Sequence, residues 1–240
     1  MTIRAVSFDV WDTLLRLEPF HFKIAEEAAV QEGLDPTALY DGMLENYRVL
    51  KEYRSRGLLR NDDIVNHCLE LSSENLGVSV ESLKKGVTKA VLRISIDDLV
   101  HHEAVGTLEQ LSREGRQIVT LGNLIFWPGA YNRILIERAG LTKYFRLQLY
   151  ADDLKASKPS GEVFENLCRS LGLKPEEVVH VGDNRSEDFE GALEFGLYAI
   201  LIRRSLKEGV LVEGRGVTVS SVSMVPQAIG ILEDRNSCLR

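Results

Sequence analysis

The sequence of 240 residues predicts a doubly wound parallel α/β sheet that is interrupted, just after its first strand, by a helical insertion. Three observations favour this fold class. Short apolar strands alternate strictly with amphipathic helices over residues 102–202, which is typical of a parallel sheet covered by helices. An apolar strand precedes this region at residues 3–8. Four consecutive helical patterns fill the stretch between the two.

The insertion is predicted from apolar residues that recur at helical spacing within residues 19–33, 36–56, 62–77 and 80–92. Pro36 stands where a helix prefers to start, and Gly77 stands where one stops. Four successive helices can bury their apolar stripes against one another as a small bundle. We therefore expect a helical cap domain at residues 17–93, with residues 1–16 and 94–240 forming the α/β core.

The remaining core elements alternate between helix and strand. The predicted helices occupy residues 102–114, 128–139, 161–171 and 186–195. The predicted strands occupy residues 117–121, 147–150, 178–181 and 198–202. The pattern weakens beyond residue 204, where we expect an edge strand at residues 216–219 and then a helix at residues 226–232.

Composition limits the classes of partner. A net charge of −7 does not supply the basic field that nucleic-acid binding needs. No apolar run approaches the roughly 20 residues that span a bilayer, and the N-terminal residues run straight into a strand rather than forming a signal peptide. Three cysteines, an odd number, do not suggest a disulfide framework. We therefore expect a cytoplasmic monomer or homodimer that binds neither nucleic acid nor membrane.

Polar residues follow the predicted strands in a fixed order. These residues are, along the chain, Asp9, Thr120 and Asn123, Lys158, and Asp183 with Asp188. Because the carboxyl ends of parallel strands meet at one crevice, residues that are remote in sequence are expected to meet there. A carboxylate nucleophile, hydrogen-bond donors, a compact cation and a carboxylate pair are the groups that phosphoryl transfer through an aspartate requires.

The segment FDVWDT at residues 8–13 resembles the opening motif of the haloacid dehalogenase (HAD) superfamily, in which a nucleophilic Asp is followed by a Thr four residues later. Asp9 and Thr13 match this motif. The resemblance implies a Rossmann-like core with an inserted C1 cap. Phosphatases of the superfamily usually place a second Asp, the general acid, where this chain has Trp11, and a Gly where it has Asp12. Dehalogenases place Tyr at the position of Trp11, which favours dehalogenase chemistry, an unusual phosphatase or a packing role.

The segment VGDNRSED at residues 181–188 resembles the metal motif of the same superfamily. The resemblance implies a Mg²⁺ ion held by Asp9, Asp183 and the backbone carbonyl of Trp11, with Asp188 orienting a water molecule or the lysine. Oxygen ligands of this kind suit Mg²⁺. Metal-independent dehalogenases carry Ser in place of the first acid of this motif. The presence of Asp183 therefore favours phosphatase over dehalogenase chemistry, because phosphoryl transfer uses the charge of a metal ion.

Two further matches concern the donors and the cation. Relatives place Ser or Thr before an Asn at the end of the second strand, and alignment on Asn123 puts Gly122 at the hydroxyl position. We expect the Asn123 side chain and backbone amides near Gly122 to bind phosphate, with Thr120, on the same strand face, as the alternative donor. Lys158, directly before Pro159, matches the lysine that the superfamily places beside the nucleophile.

The residues together predict a Mg²⁺-dependent phosphatase that attacks a small phosphate ester with Asp9 and forms an aspartyl-phosphate. Lys51 and Arg54, in the most basic part of the insertion, are candidates for binding a substrate carboxylate or second phosphate, although a solvated helix face would have the same pattern. Asp12 is the candidate replacement for the missing general acid. The alternatives are a metal-independent 2-haloacid dehalogenase and a non-catalytic protein that binds a phosphorylated ligand. The five histidines form no metal-ligand spacing and are expected in core or surface roles.

Overall fold

The described residues form one mainly parallel sheet. The computed structural model describes residues 2–207 and 209–238. Its strands are β1 (Ala5–Phe8), β2 (Gln117–Gly122), β3 (Leu147–Tyr150), β4 (Val178–Gly182), β5 (Tyr198–Ile202), β6 (Leu211–Glu213) and β7 (Gly216–Val219). Their spatial order is β3-β2-β1-β4-β5-β7-β6, and every neighbouring pair is parallel except β6 with β7. The predicted α/β class is confirmed.

Helices cover both faces of the sheet, because side chains of a strand alternate between its faces. In order after the helices of the insertion come α5 (Ile96–Leu99), α6 (His102–Arg113), α7 (Gly129–Arg138), α8 (Ala151–Leu154), α9 (Gly161–Leu171), α10 (Gly191–Phe195) and α11 (Val225–Cys238). One face, with Ala5 and Val119, packs against Phe164 of α9. The opposite face, with Val6 and Phe8, belongs to a second apolar cluster that also includes residues of α6 and α11. The sheet is therefore wound on both sides.

Four helices separate β1 from the rest of the core. They are α1 (Leu17–Glu32), α2 (Pro36–Ser55), α3 (Ile64–Leu76) and α4 (Val80–Arg93), and we call them the cap helices. Local sequence fixes their ends: the Asp35 side chain accepts a hydrogen bond from the Ala38 amide at the start of α2, and Gly33 ends α1 with a φ of 67°. α1 packs against α2 and α4. The division into core and cap domains stays a prediction, and residues 1, 208, 239 and 240 of the predicted core lie outside the described residues.

Two element predictions were wrong in detail. Residues 216–219 do not form the edge of the sheet, because β6 pairs with them on the outer side. The helix expected from Ser186 begins instead as a π-helical turn, Arg185–Glu190, that continues into α10. The side chain of Asn184, not Ser186, caps this turn by accepting hydrogen bonds from the amides of Ser186 and Glu187 at 3.0 and 3.1 Å. This register places Asp188 inside the turn and buries it.

No helix among residues 2–207 and 209–238 combines the length and the apolar character needed to cross a bilayer. Cys68 and Cys168 are buried free thiols, and the side chain of Cys238 lies outside the described residues.

Candidate active site

Three carboxylates meet at the carboxyl ends of the two central strands. Asp9 directly follows β1, and its amide donates to the Val181 carbonyl of β4 at 2.8 Å. Asp183 directly follows β4, and Asp188 lies in the π-helical turn that comes next. Carboxylate oxygens of Asp9, Asp183 and Asp188 all lie within 4.8 Å of one another. The structure thus brings together acids that are about 180 positions apart in the sequence, as expected for adjacent parallel strands.

A buried lysine lies against two of these carboxylates. The Lys158 ammonium donates to Asp9 Oδ1 at 2.8 Å and to Asp188 Oδ1 at 2.6 Å, and its side chain is 1% exposed. Asp188 Oδ2 accepts a further hydrogen bond from the Asn184 amide at 2.9 Å. A buried charge is tolerated only when it is paired and hydrogen-bonded. Lys158 satisfies that condition by neutralising part of the carboxylate cluster.

The cluster perturbs the protonation of its members. Burial and the charge of Asp188 raise the pKa of Asp9 to about 7, although the Lys158 ammonium opposes this rise. Burial also favours the neutral form of Asp188, but Lys158 and a hydrogen bond from His180 outweigh it and hold the pKa of Asp188 well below its usual value. The pKa of Asp183 is raised by burial and by the other two carboxylates. The side chain of Asp183 keeps an exposed surface, so repulsion by the other two carboxylates contributes more than burial to this rise of its pKa. The pattern is that of carboxylates that lack enough positive charge.

His180 is a member of the site that the sequence analysis did not single out. It is fully buried on β4, with Nε2 at 3.1 Å from Asp188 Oδ1 and Nδ1 at 3.0 Å from Ser7 Oγ. Burial lowers the pKa of His180, so the ring is neutral. Since Asp188 is an acceptor only, Nε2 carries the proton and donates to it, while Nδ1 accepts from Ser7. One feature of the sequence could have indicated this role for His180. Ser7 and His180 are polar residues within two otherwise apolar strands, and the structure pairs them between β1 and β4.

Of the predicted phosphate donors, Asn123 lines the cavity of Asp9. Asn123 also holds the backbone of Lys158. Its Nδ2 donates to the Lys158 carbonyl at 3.0 Å, and its Oδ1 accepts from the Lys158 amide at 2.8 Å. Thr120 and Gly122 are not among the described residues that line this cavity. Thr120 is fully buried in β2, and Tyr150 occupies the space beside the Gly122 Cα.

Cap helix α2 closes the cavity above Asp9. The cavity has a volume of about 30 Å³, and its lining includes Tyr47, Lys51 and Arg54 from this helix. Lys51 Nζ lies 5.1 Å from the centre of the Tyr47 ring, and Lys51 forms no ion pair with any described residue. Arg54 is instead paired with Glu187 of the core at 3.1 Å. The structure therefore separates the two predicted cationic candidates, one free and one bound to the protein.

The family model for haloacid dehalogenase-like hydrolases matches residues 3–196. The chain belongs to this family. It is 29% identical over 212 residues to a glyceraldehyde 3-phosphate phosphatase of Methanopyrus kandleri, covering 84% of each chain. It is 27% identical over 207 residues to (S)-2-haloacid dehalogenase 4A of Burkholderia cepacia, covering 85% of this chain and 84% of the relative. A solved structure of the HAD-hydrolase YfnB from Bacillus subtilis bound to magnesium has the same fold, with a TM-score of 0.74, 17% identity and coverage of 97% and 99%.

This HAD hydrolase has a packed aromatic ring at the position of Trp11. The indole stacks on Phe20 of α1, with ring centroids 5.0 Å apart at 17°, and meets the edge of Trp127 at 5.5 Å. Its Nε1 is buried and has no hydrogen-bond partner among the described residues. Trp11 thus lines the cavity and joins a cap helix to the core.

Asp12 has a structural partner in this HAD hydrolase. It adopts a φ of 57°, and its Oδ1 accepts a hydrogen bond from the Leu17 amide at 3.0 Å, at the start of α1. Asp12 lines a neighbouring cavity of about 360 Å³ together with Arg204 and Asp183, and is not among the described residues that line the cavity above Asp9. The position that the resemblance assigns to Gly is thus held by an aspartate that tolerates a left-handed backbone and accepts a hydrogen bond from the first amide of α1.

Proposed function

We propose that this HAD hydrolase is a Mg²⁺-dependent phosphatase that acts on a small phosphate ester through an aspartyl-phosphate on Asp9. The observation that carries the proposal is the group of three carboxylates within 4.8 Å around the buried Lys158 ammonium. Phosphatases among the relatives, such as that of Methanopyrus kandleri, support a phosphorylated substrate.

The donor set fits a hard divalent cation. Three ionised carboxylates and one ammonium leave two negative charges, which one Mg²⁺ ion would balance, and oxygen ligands are those that Mg²⁺ prefers. Gly182 makes the cluster possible, because a Cβ at that position would overlap the carboxyl group of Asp188. Asp9, Asp183, Asp188 and the backbone carbonyl of Trp11 would hold the ion. When bound, it supplies positive charge to phosphate oxygens and lowers the pKa of nearby acids.

Asp9 performs the covalent step in this proposal. One carboxylate oxygen forms a bond to phosphorus while the ester P–O bond breaks, and the electron pair leaves with the leaving-group oxygen. Water then attacks the phosphorus of the aspartyl-phosphate, which releases phosphate and restores the Asp9 carboxylate. Lys158 lies 2.8 Å from Asp9 and offsets the negative charge that accumulates beside it.

In this proposal the leaving group receives no proton from the side chains of Trp11 and Asp12. The Trp11 indole donates a hydrogen bond but does not give up its proton at neutral pH. Asp12 accepts from the Leu17 amide and lines a different cavity. Because loss of general acid catalysis typically costs ~10²–10⁴ in rate, we propose a preference for aryl and acyl phosphates, whose leaving groups are stable anions.

Lys51 supports an anionic group on the substrate. It lines the cavity of Asp9 from the cap side and lacks an ionic partner among the described residues, whereas Arg54 is engaged by Glu187. An ammonium that forms no ion pair and lines a cavity attracts a carboxylate or a second phosphate. We therefore propose that the leaving group carries such an anion at Lys51.

A phosphate panel with and without metal tests the function. We expect wild-type protein with Mg²⁺ to hydrolyse 4-nitrophenyl phosphate and acetyl phosphate faster than alkyl phosphates, and EDTA to abolish turnover. Asp9→Asn is expected to be inactive, while Asp97→Asn, an exposed acid on α5, serves as the matched control. Activity that survives full chelation would contradict the metal assignment.

The dehalogenase alternative has one observation in its favour, the aromatic ring of Trp11, and a relative named as a haloacid dehalogenase. The Asp183 carboxylate beside Asp9 weighs against it, because halide displacement does not need a metal ion. An ion-selective electrode with 2-chloropropionate decides between the two. Chloride release without metal, in the absence of phosphatase activity, would replace the proposal. A non-catalytic protein would show stabilisation by a phosphorylated ligand and no turnover of either substrate class.

A further inference from the structure

A buried ion pair joins the cap helices to the core beside the carboxylate cluster. Arg54 of α2 donates through Nη1 to both oxygens of Glu187, at 3.1 and 3.3 Å, and through Nη2 to the Leu124 carbonyl. Its side chain is 4% exposed and that of Glu187 is 12% exposed. Glu187 lies in the π-helical turn and directly precedes Asp188. One guanidinium nitrogen serves both oxygens of a buried carboxylate while a second serves a backbone carbonyl, so the contact is directional and desolvated, unlike the ion pairs on the surface.

Glu187 passes this contact on to the backbone of Lys158. Its Oε2 accepts from Asn123 Nδ2 at 2.9 Å. The same amide group donates to the Lys158 carbonyl and accepts from the Lys158 amide. Both Asn123 amide protons and its oxygen are therefore used within the protein. A continuous series of contacts runs from the cap through Glu187 and Asn123 to the lysine that meets Asp9.

Entry of a substrate requires these contacts to break and re-form. The cavity of about 30 Å³ has room for only two or three water molecules, each of which needs roughly 10–15 Å³, so α2 must move away from the core to admit a phosphate ester. That movement removes Arg54 from Glu187. Glu187 is then a carboxylate without its cation, and such a group turns toward solvent. That movement breaks its hydrogen bond to Asn123.

We propose that Glu187 is a positioning residue that couples closure of the cap helices to the placement of Asn123 and Lys158. The inference rests on the proposed phosphatase function. The Arg54 guanidinium holds the Glu187 carboxylate in place. Glu187 accepts a hydrogen bond from the Asn123 side chain, and Asn123 holds the Lys158 backbone through two further hydrogen bonds. The lysine is correctly placed against Asp9 only when the cap helices lie against the core. Arg54 acts in this scheme on Glu187 rather than on the substrate.

A double-mutant cycle separates this role from substrate binding. The variants are Glu187→Gln, Arg54→Met and the double variant, with Lys85→Met as the control, since Lys85 pairs with Glu81 on the exposed surface of α4. The assay is hydrolysis of 4-nitrophenyl phosphate with Mg²⁺. We expect each single variant to lower kcat by about 10-fold to 100-fold with KM within about threefold, because a small misplacement of a catalytic group has effects of that size. The kcat of the double variant should be no lower than that of the less active single variant, because the two residues act through one contact.

A second readout does not depend on activity. The chain has two tryptophans, Trp11 and Trp127, and both are buried against Phe20 of α1. Acrylamide quenching of their fluorescence therefore reports separation of the cap from the core. We expect quenching to rise in Glu187→Gln and Arg54→Met and to stay at the wild-type value in Lys85→Met. Arg54→Lys, which keeps the charge but replaces the two donating nitrogens of Arg54 with one, should recover only part of both properties.

Three results would overturn the proposal. Single variants with wild-type kcat and quenching would show that the pair has no positioning role. Additive effects in the double variant would show that Arg54 and Glu187 act separately. A large rise in KM that is confined to the Arg54 variants would assign Arg54 to the substrate. A wild-type protein that is inactive on every phosphate ester would refute the proposed function instead, and the quenching series would still decide whether Arg54 and Glu187 hold the cap closed.

Discussion

Replacement of His21 by phenylalanine should change how the stability of the protein depends on pH. His21 is buried in α1 between Tyr47 and Trp127, with ring centroids 5.7 and 5.8 Å away. Neither ring nitrogen has a hydrogen-bond partner among the described residues. Burial lowers its pKa from 6.5 to about 3. The folded state therefore holds a neutral imidazole, whereas the unfolded chain binds a proton below pH 6.5.

The sign and size of the effect follow from this difference. A group whose pKa is depressed in the folded state lowers the free energy of unfolding as the pH falls below its unfolded pKa, and here the loss continues to a pH near 3. Each unit of pH costs about 1.4 kcal/mol in that range. Between pH 7.5 and pH 5 the wild-type protein should thus lose about 2 kcal/mol through His21 alone. Other titrating groups contribute equally to wild type and variant and cancel in the comparison.

Urea unfolding at pH 7.5 and pH 5 measures the effect. The His21→Phe variant keeps an aromatic ring against Tyr47 and Trp127, so its stability should fall by about 2 kcal/mol less than that of wild type over this interval. At pH 7.5 it should be at least as stable, since two buried nitrogens without partners are removed. Equal losses for the two proteins would refute the depressed pKa. A variant that is much less stable at pH 7.5 would show that the nitrogens have partners.

Three further predictions concern the carboxylate cluster and Asp12. Lys158→Met should lower the free energy of unfolding by about 3–5 kcal/mol, because the carboxylates of Asp9 and Asp188 lose their cation. Urea unfolding in the presence of EDTA measures this, and a loss below about 1 kcal/mol would mean that the carboxylates are protonated. Gly182→Ala should displace Asp188 and weaken Mg²⁺ binding, measured by calorimetry, by at least about tenfold. The control Gly106→Ala, on the open face of α6, should bind Mg²⁺ like wild type. Equal affinities for the two variants would contradict the proposed ligand set. Asp12→Ala should cost about 1–2 kcal/mol in thermal unfolding because the Leu17 amide loses its acceptor. Asp12→Asn should keep both stability and alkyl phosphate turnover, and a large drop in that turnover would restore Asp12 as the general acid.

Local sequence signals were sufficient for most of the sheet. The strands β3 and β5 begin and end where the apolar runs predict, and Asp9 and Asp183 follow their strands directly. β6 escaped prediction because it has only three residues, of which the first and the last are exposed, and it forms by pairing with β7. The start of the π-helical turn at Asn184 also depends on context, since Asn184 and Ser186 are both good caps.

The candidate site divides in the same way. Asp9, Lys158, Asp183 and Asp188 could be predicted because each lies at the end of a strand or the start of a helix that has its own pattern. The partner of Arg54 could not, because Glu187 is 133 positions away and the contact depends on how the cap helices pack on the core. Lys51 and Arg54 belong to the same basic stretch of α2, and the sequence around them does not distinguish their roles. Only the tertiary structure shows that Arg54 pairs with Glu187.

Packing explains why Trp11 and the absence of a general acid belong together. The Trp11 ring is fixed between Phe20 of the cap and Trp127 of the core, so this position contributes to the contact between the two rather than to proton transfer. An acid at the same position would place a carboxyl group among aromatic rings, where its charged form is unfavourable. The chain thus gains an apolar contact that holds α1 over the site, and under the proposed function its substrates would supply leaving groups that need no proton. A leaving group that is itself anionic would meet Lys51, a cation of the same cavity wall that forms no ion pair within the described residues.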